Sequence, residues 1–170
     1  LLATFANEEI NEDPTALFNL SYGLFVLTAK DGDKDNGCIT NTAIQVASMP
    51  TRMSVSVQKG NLTREMIEKT GKFNVSVLTQ DVPYDVIRHF GMQSGRDVNK
   101  FENCENAQRS SNGIIYIPKY TNAYFSVKVV SAEDLGTHVQ FIGEVTESKV
   151  LSDKPSCTYA HYHAEIKPKA

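Results

Sequence analysis

Residues 36–73 constrain the fold of this chain most, because extended runs and a helix follow one another there with clear boundaries. The first run opens at a predicted turn, Asn36-Gly37. It ends at Met49-Pro50, because proline lacks a backbone donor and restricts the residue before it. Residues 53–58 alternate apolar with polar side chains, which predicts a half-buried strand.

The predicted helix that follows, residues 62–70, carries capping signals at both ends. Asn61 has the side chain expected of an N-cap, and Gly71 can take the left-handed conformation that follows many helices. Free N–H groups at a helix start bind anions, and Lys59 and Thr63 flank this one, which makes it a candidate phosphate site. The polar run before it can hydrogen-bond a flat heterocycle, but the same residue types are common on exposed sheet faces.

Strands dominate the rest of the sequence, with two or three helices between them. A polar turn over residues 31–37 predicts a hairpin between the first strand and the run that follows it. The other predicted elements are strands at 21–29, 72–78, 113–117, 123–132 and 137–150, and helices at 16–20 and 82–90. A closed or nearly closed antiparallel barrel pairs this many strands without exposed edges, so a mainly β fold with inserted helices is predicted.

Length and composition favour one globular domain over residues 1–170. A net charge of −3 gives no electrostatic case for nucleic acid, and no apolar run approaches the ~20 residues that span a membrane. No signal peptide is visible, and Cys38, Cys104 and Cys157 are widely spaced, which indicates reduced thiols in a cytoplasmic protein. The first residue is not Met, so the sequence leaves open whether residues precede it or follow residue 170.

Residues 91–113 form a long irregular connection of a kind that is either functional or simply solvated. The connection contains Arg96, Lys100 and Arg109, and such cations suit a phosphate. No glycine-rich phosphate loop follows a predicted strand, so neither a Rossmann nor a Walker site is expected.

Six segments, in this order and spacing, make the chain resemble the flavin reductase-like family, the FMN-binding split barrels. The resemblance runs from about residue 18 to the end. Within the family the chain looks most like reductases of anaerobes, in which this domain stands alone or precedes a rubredoxin domain. The cysteine pairs of a rubredoxin are absent here. The segments are LSYGLFVLTAKDGDKDNG, NTAIQVASMPTRMSVSVQKGNLT, IEKTGKFNVSVL, HFGMQSGRDVNKF, DLGTHVQFIGEV and TYAHYH.

The resemblance implies a split antiparallel β-barrel that binds FMN, or in some members FAD, without a covalent bond. It implies a homodimer with the flavin near the subunit interface. It also implies NAD(P)H as a transient substrate, with electrons passed to free flavin, iron, a monooxygenase or a carrier such as rubredoxin. Because the flavin supplies the hydride chemistry, the protein has only to bind it, orient it and tune its electrostatics.

Residue by residue, four parts of the sequence match the family's site. His138 matches the G-x-H motif near the bound nicotinamide, which makes it the candidate catalytic residue. Lys59, Asn61 and Thr63 match the segment near the ribityl phosphate. The strand along the isoalloxazine is matched by Thr40, Asn41, Thr42, Gln45, Val46, Ala47 and Ser48, and the loop that closes on the flavin by Ser94, Gly95, Arg96 and Lys100.

Three further features each have two interpretations. Cys38, just before the flavin strand, either tunes redox behaviour or fills a small buried site. His161 and His163 would face one side of a strand as a metal pair would, but no third ligand is evident and no metal is predicted. Tyr159 and Tyr162 are expected to pack at a dimer interface rather than to stack on a substrate.

Two alternatives stand beside an NAD(P)H-dependent flavin reductase. One is an electron-transfer flavoprotein that is reduced by a protein partner such as rubredoxin or ferredoxin. The other is a non-catalytic flavin-binding module. The sequence contains no dinucleotide fingerprint, so it does not distinguish NADH from NADPH, and it does not identify the terminal acceptor.

Overall fold

The computed structural model describes residues 9–169, which contain nine strands and a few helices. The helices α1 and α2 cover Leu62–Thr70 and Tyr84–Gly91, and a 3₁₀ helix covers Pro14–Asn19. The strands are β1 (Phe25–Asp31), β2 (Lys34–Thr40), β3 (Ile44–Ser48), β4 (Thr51–Gln58), β5 (Lys72–Leu78), β6 (Gln108–Arg109), β7 (Ile115–Tyr116), β8 (Thr121–Asp134) and β9 (His138–Val150). Within residues 9–169, no helix has both the length and the apolar character that crossing a bilayer requires.

Seven of these strands form one antiparallel sheet in the order β2-β1-β5-β8-β9-β4-β3, and β6 pairs with β7 separately. The predicted mainly β fold with inserted helices is therefore confirmed. The sheet curves until the end of β2 meets β4, and one side chain joins them there. The Thr42 hydroxyl donates to the Ser56 carbonyl at 3.0 Å and accepts from the Ser56 N–H at 2.9 Å. In a closed barrel, backbone hydrogen bonds between two strands would join the sheet edges at this point. Here the Thr42 side chain makes the connection, so the barrel is split.

Side-chain alternation along β1 supplies two hydrophobic cores on opposite faces of the sheet. Leu27 and Ala29 face the barrel interior, where α1 packs its own apolar residues against them. Val26 faces the other side, where α2 and the tail cover it. Leu24 and Phe90 belong to this outer core and also reach the split, so the core fixes one wall of that opening.

Helix α1 begins and ends where its capping signals predicted. The Asn61 side chain accepts a hydrogen bond from the Thr63 N–H at 2.8 Å. Gly71 has φ of +71°, and its N–H donates to the Ile67 carbonyl at 2.8 Å. The Asn61 cap holds the start of the helix beside the split.

The turn predicted at Asn36-Gly37 is wrong. The hairpin turns at Gly32-Asp33, where Gly32 has φ of +58°, and Asn36 and Gly37 lie inside β2. Asn36 is buried and donates to the Thr63 hydroxyl at 3.0 Å, while a Cβ on Gly37 would meet its nearest neighbour at 3.1 Å. Asn36 therefore packs against α1 and Gly37 packs closely against β1, while the more exposed Gly32 makes the turn.

The polar run before Met49-Pro50 is also not one strand. It divides into the end of β2, a connection at residues 41–43, and the separate edge strand β3, which pairs with β4. The connection is fixed by the Thr42 bonds to β4, so the chain changes direction at the split. The two halves of the predicted flavin strand consequently lie in different places.

The tail is helical, which corrects the strand assumed for His161 and His163. Its helical residues are Tyr159–His161, followed by a π-helical turn at Tyr162–Ile166. The Thr158 hydroxyl caps them by accepting from the His161 N–H at 3.0 Å. Residues 9–169 contain no group of three or more side chains placed to hold a metal ion.

Smaller corrections concern the boundaries of elements. The first helix is a 3₁₀ helix that begins at Pro14, and the first strand begins at Phe25 rather than at residue 21. The strand predicted at 113–117 shortens to β7, which pairs with β6 inside the connection predicted to be irregular. Such ends are the least constrained by apolar periodicity, because a few hydrogen bonds decide them.

Candidate functional site

A cavity of about 320 Å³ lies where the barrel is split, between the end of β2 and the end of β4. The start of α1, the end of α2, the first residue of β9 and the tail complete its walls. Of the predicted site residues, six line this cavity: Thr40, Asn41, Thr42, Asn61, Lys100 and His138.

The cavity lining carries no carboxylate among the residues that the structure describes. Its ionisable side chains are those of Cys38, Lys100, His138 and Tyr159, and the others are apolar groups, amides and hydroxyls. A few polar groups in a mostly neutral pocket are typical of small-molecule sites. Because its described lining contains a lysine and no carboxylate, this pocket suits a ligand that carries negative charge.

Larger cavities occur elsewhere, and both arginines that line one of them are already paired with carboxylates. In the cavity of about 630 Å³, Arg109 contacts Asp35 at 2.8 and 2.9 Å, and Arg96 contacts Glu65 at 2.6 and 3.2 Å. Each bidentate pair raises the pKa of its arginine, because the carboxylate stabilises the guanidinium. The second cavity, of about 810 Å³, runs along α2 and shares Lys100 with the split.

The end of β2 presents one free amide to the cavity. The Thr40 and Thr42 hydroxyls lie 2.8 Å apart, and the Thr42 N–H donates to the Thr40 hydroxyl at 3.2 Å. Both hydroxyls are therefore engaged in holding the turn. Asn41 lies between them, half-buried, and its side chain has no hydrogen-bond partner within residues 9–169. The turn thus positions Asn41 to bind a ligand.

At the start of α1, the predicted phosphate residues have different surroundings. Asn61 lines the cavity and caps the helix. Thr63 is buried, and its hydroxyl accepts from Asn36. Lys59 contacts Asp134 at 2.6 Å outside the cavity, and this pairing lowers the pKa of Asp134. Asn61 is therefore the member of the three that reaches the split.

Lys100 is a buried cation at the base of the cavity. Its ammonium donates to the carbonyls of Gly37 in β2 and Phe90 in α2, both at 2.8 Å. Burial lowers the pKa of Lys100, and the nearby Cys38 opposes that shift. Burial in turn raises the pKa of the Cys38 thiol, which lines the same cavity.

His138 opens β9 on the opposite wall of the cavity. It stands beside Gln58 at the end of β4, and its Nδ1 lies 2.7 Å from the Thr137 hydroxyl. That contact orients the ring, and Nε2 is the nitrogen left to face a ligand. The structure therefore places a half-buried imidazole across from Asn41 and Lys100.

The remaining predicted residues lie outside the cavity. The edge strand β3 carries Gln45, Val46, Ala47 and Ser48. In the loop after α2, Gly95 packs so closely that a Cβ would lie 2.2 Å from Asn36, and the Ser94 hydroxyl accepts from the Arg96 N–H. Arg96 itself binds Glu65 in the first turn of α1. This loop therefore stabilises the start of α1 through contacts outside the cavity.

The structure also adds residues that sequence reasoning missed, among them Gln58, Gln93 and Tyr159. Tyr159 reaches the cavity because its N–H donates to the Tyr22 carbonyl at 2.9 Å and its ring packs edge-on against His163 at 4.4 Å. The aromatic TYAHYH segment was the available signal for this wall. Its helical conformation, which the sequence did not predict, brings Tyr159 inward.

The chain matches the family model described as the flavin reductase like domain over residues 17–168. It belongs to the flavin reductase-like family. The match covers every residue assigned to the cavity, and the predicted family membership is confirmed.

Two curated relatives and one solved structure illustrate the flavin reductase-like domain. The chain is 42% identical over 151 residues to the high molecular weight rubredoxin of Moorella thermoacetica, covering 89% of this chain and 66% of that protein. It is 34% identical over 157 residues to the ferric-chelate reductase (NAD(P)H) of Archaeoglobus fulgidus, covering 92% of each. The NADH:FAD oxidoreductase of Streptomyces globisporus superposes with a TM-score of 0.79 at 19% identity, covering 97% of this chain and 99% of that one. The last comparison confirms the split-barrel fold.

The residues at the split fit the flavin that this family implies. A flavin ring needs donors and acceptors along one polar edge, and amides such as those of Asn41 and Gln58 provide both. Its phosphate and its reduced ring carry negative charge, which the lysine and the absence of an acid from the described lining favour. Apolar walls from Ile39 and Phe90 suit the flat faces of the ring.

Proposed function

We propose that this chain is an FMN-dependent oxidoreductase that takes a hydride from NAD(P)H and passes electrons to free flavin, iron or a carrier protein. Flavin reductase function is supported by its family and by the ferric-chelate reductase to which it is 34% identical. The observation that carries the proposal is the carboxylate-free lining at the split, where Asn41, Lys100 and His138 converge. FMN, once bound, supplies the hydride chemistry.

The protein's own residues bind the flavin, orient the nicotinamide and exclude water from both. Asn41 donates to or accepts from the polar edge of the ring. The start of α1 beside Asn61 lies at the cavity, where the positive end of the helix dipole favours the phosphate. His138 orients the nicotinamide by donating from Nε2. Tyr159 covers the opening and excludes water. The proposal requires no general base, since a hydride transfer moves no separate proton.

The proposal is tested by turnover. The FMN-loaded protein is incubated with NADH or NADPH and free FMN as the electron acceptor, and oxidation of the nicotinamide is followed. We expect FMN-dependent oxidation with at least one of the two nicotinamides. Protein stripped of flavin is the control, and equal rates with and without bound FMN would contradict the proposal.

A protein reductant is the second candidate, because one relative is named high molecular weight rubredoxin. The chain spans 66% of that relative, and in this second candidate the reductant of the flavin is a rubredoxin-type carrier. Reduction by a reduced rubredoxin alone would favour this candidate. If neither NAD(P)H nor reduced rubredoxin reduces the bound flavin, the chain is a flavin-binding module without turnover.

A homodimer is part of the proposal. The edge strand β3 exposes Ile44 at 61% and Val46 at 50%, and Met49 next to it is 95% exposed. Nearby, the Arg52 Nε is buried without a hydrogen-bond partner within the described residues. A second copy covering β3 would bury this apolar edge and supply an acceptor. We expect light scattering to give twice the chain mass of 18.8 kDa, and a monomer at tens of micromolar would contradict the dimer.

The remaining expectations belong to the same proposal. We infer a single domain, consistent with one sheet running through the described residues. We also infer a cytoplasmic location, for which the three free cysteines are the support.

A further inference from the structure

Lys100 is an unusual residue because its ammonium is buried and no carboxylate neutralises it. The side chain is part of a residue only 3% exposed, and none of the ion pairs within residues 9–169 includes it. A buried charge is costly unless an opposite charge or several hydrogen bonds compensate it. An anion that enters the cavity is therefore the missing partner.

The surroundings of the ammonium compensate it only in part. The carbonyls of Gly37 and Phe90 accept two of its three donors. Phe90 lies in the last turn of α2, where the helix dipole favours a cation. The described residues provide no partner for the third donor, and Lys100 lines the split.

The other titratable groups near Lys100 do not replace that anion. In the cavity at the split they are Cys38, His138 and Tyr159. In the cavity along α2 the charged or titratable groups are Asp85, Arg88, His89, Glu102, Cys104, Lys119 and Tyr120. There Lys100 offers its backbone carbonyl to His89 at 2.5 Å, and Asp85 is paired with Arg88. The Lys100 ammonium itself donates to the carbonyls of Gly37 and Phe90, and the described residues give it no bond to any of those charged groups.

We propose that Lys100 is a positioning residue that sets the preference of the site for reduced over oxidised flavin. This inference rests on the proposed function and names the residue that tunes it. A hydride carries two electrons and one proton. Its transfer breaks a C–H bond of the nicotinamide, forms an N–H bond on the flavin and adds one negative charge to the flavin, while the nicotinamide leaves as its oxidised cation. The Lys100 ammonium and that new charge stabilise each other.

The pKa of Lys100 supports the same inference. Burial lowers this pKa below its usual value, and an anion beside the amine raises it again. The amine therefore becomes easier to protonate when the flavin gains charge, and the charge gained is stabilised in return.

The test compares a neutral variant with the wild type in both flavin states. Lys100→Gln removes the charge but keeps two N–H donors for Gly37 and Phe90, so it separates charge from hydrogen bonding. The dissociation constants of oxidised and reduced FMN are measured anaerobically for each protein. We expect the Gln variant to weaken reduced FMN about tenfold more than oxidised FMN. That difference corresponds to a midpoint potential about 30 mV lower for a two-electron couple.

Two further variants serve as controls for this measurement. Lys72→Gln removes an exposed lysine outside the cavity, and its ratio of the two constants should equal that of the wild type. If the Gln variant does not fold, the same two dissociation constants are measured for Lys100→Met, whose side chain has a volume close to that of lysine. The inference is overturned if the wild type binds FMN and is reduced by NAD(P)H, but both Lys100 variants have the wild-type ratio of the dissociation constants of reduced and oxidised FMN. Lys100 would then have only a structural role. If the wild type does not bind FMN, the proposed function itself fails.

Discussion

Replacing Gly143 with alanine should strongly destabilise the protein. A Cβ at this position in β9 would lie 2.5 Å from the Lys128 carbonyl oxygen and 2.5 Å from the Val127 side chain. The nearest obstacle is backbone of the neighbouring strand, beside an irregularity in β8, and cannot rotate away. We expect the free energy of unfolding to fall by about 3 kcal/mol, at the upper end of overpacking effects.

Urea unfolding of Gly143→Ala and of the wild type measures this change. Gly60→Ala is the matched control, since nothing lies within 4 Å of a Cβ at that exposed position. We expect the control to stay within about 0.5 kcal/mol of the wild type. Equal midpoints for the two alanine variants would mean that the close approach of β8 and β9 is wrong.

Replacing His138 with alanine should separate flavin binding from flavin reduction. The imidazole belongs to the first residue of β9 and lines the cavity without a hydrogen bond to the α1 start or to Lys100 within the described residues, so we expect it to contribute little to holding FMN. It is placed to orient a second ring, and misplacing a reactant by about 1 Å can cost on the order of 10²-fold in rate. We therefore expect an FMN dissociation constant close to that of the wild type and single-turnover reduction about 10²-fold slower.

His161→Ala is the control for this pair of measurements, because His161 lies in the tail helix and does not line the cavity. It should change neither quantity. If His138→Ala loses FMN but is reduced at the normal rate once saturated, His138 holds the flavin and does not orient the nicotinamide.

Local features of the fold could be predicted from the sequence, because they depend on neighbouring residues. The caps of α1 at Asn61 and Gly71 are one case, and the alternating residues of β4 and β5 are another. The split barrel and the reductase family could be predicted from the resemblance, and both are confirmed. The hairpin turn lies within the predicted residues 31–37, but the turn predicted at Asn36-Gly37 is wrong because Asn36 hydrogen-bonds a residue 27 positions away, which turn preferences do not register.

The composition of the site was harder to predict for the same reason. Arg96 had the residue type and loop expected of a phosphate ligand, yet in the structure it binds Glu65, 31 positions away. Lys59 likewise pairs with Asp134, 75 positions away. Spacing along the chain does not reveal such partners. The assignment of Arg96 and Lys59 to the flavin phosphate stays a prediction, and the geometry favours Asn41, Asn61 and Lys100 as the groups that reach the cavity.

The helical tail illustrates a third limit. The order of aromatic and histidine residues in TYAHYH fits a strand or a helix, and the Thr158 cap together with the Tyr159 contact to Tyr22 decides for the helix. Tyr159 consequently lines the cavity, which the sequence did not suggest. Whether the tail also contacts a second copy stays a prediction.

Anaerobic single-turnover reduction of the FMN-loaded wild type tests the central claim most directly. The protein is mixed with saturating NADH or NADPH, and the flavin absorbance is followed by stopped flow. We expect bleaching on the order of 1 s⁻¹ or faster with at least one nicotinamide, within the usual range of enzyme turnover. Flavin that stays oxidised with both nicotinamides, but is bleached by dithionite or by reduced rubredoxin, would contradict an NAD(P)H-dependent reductase.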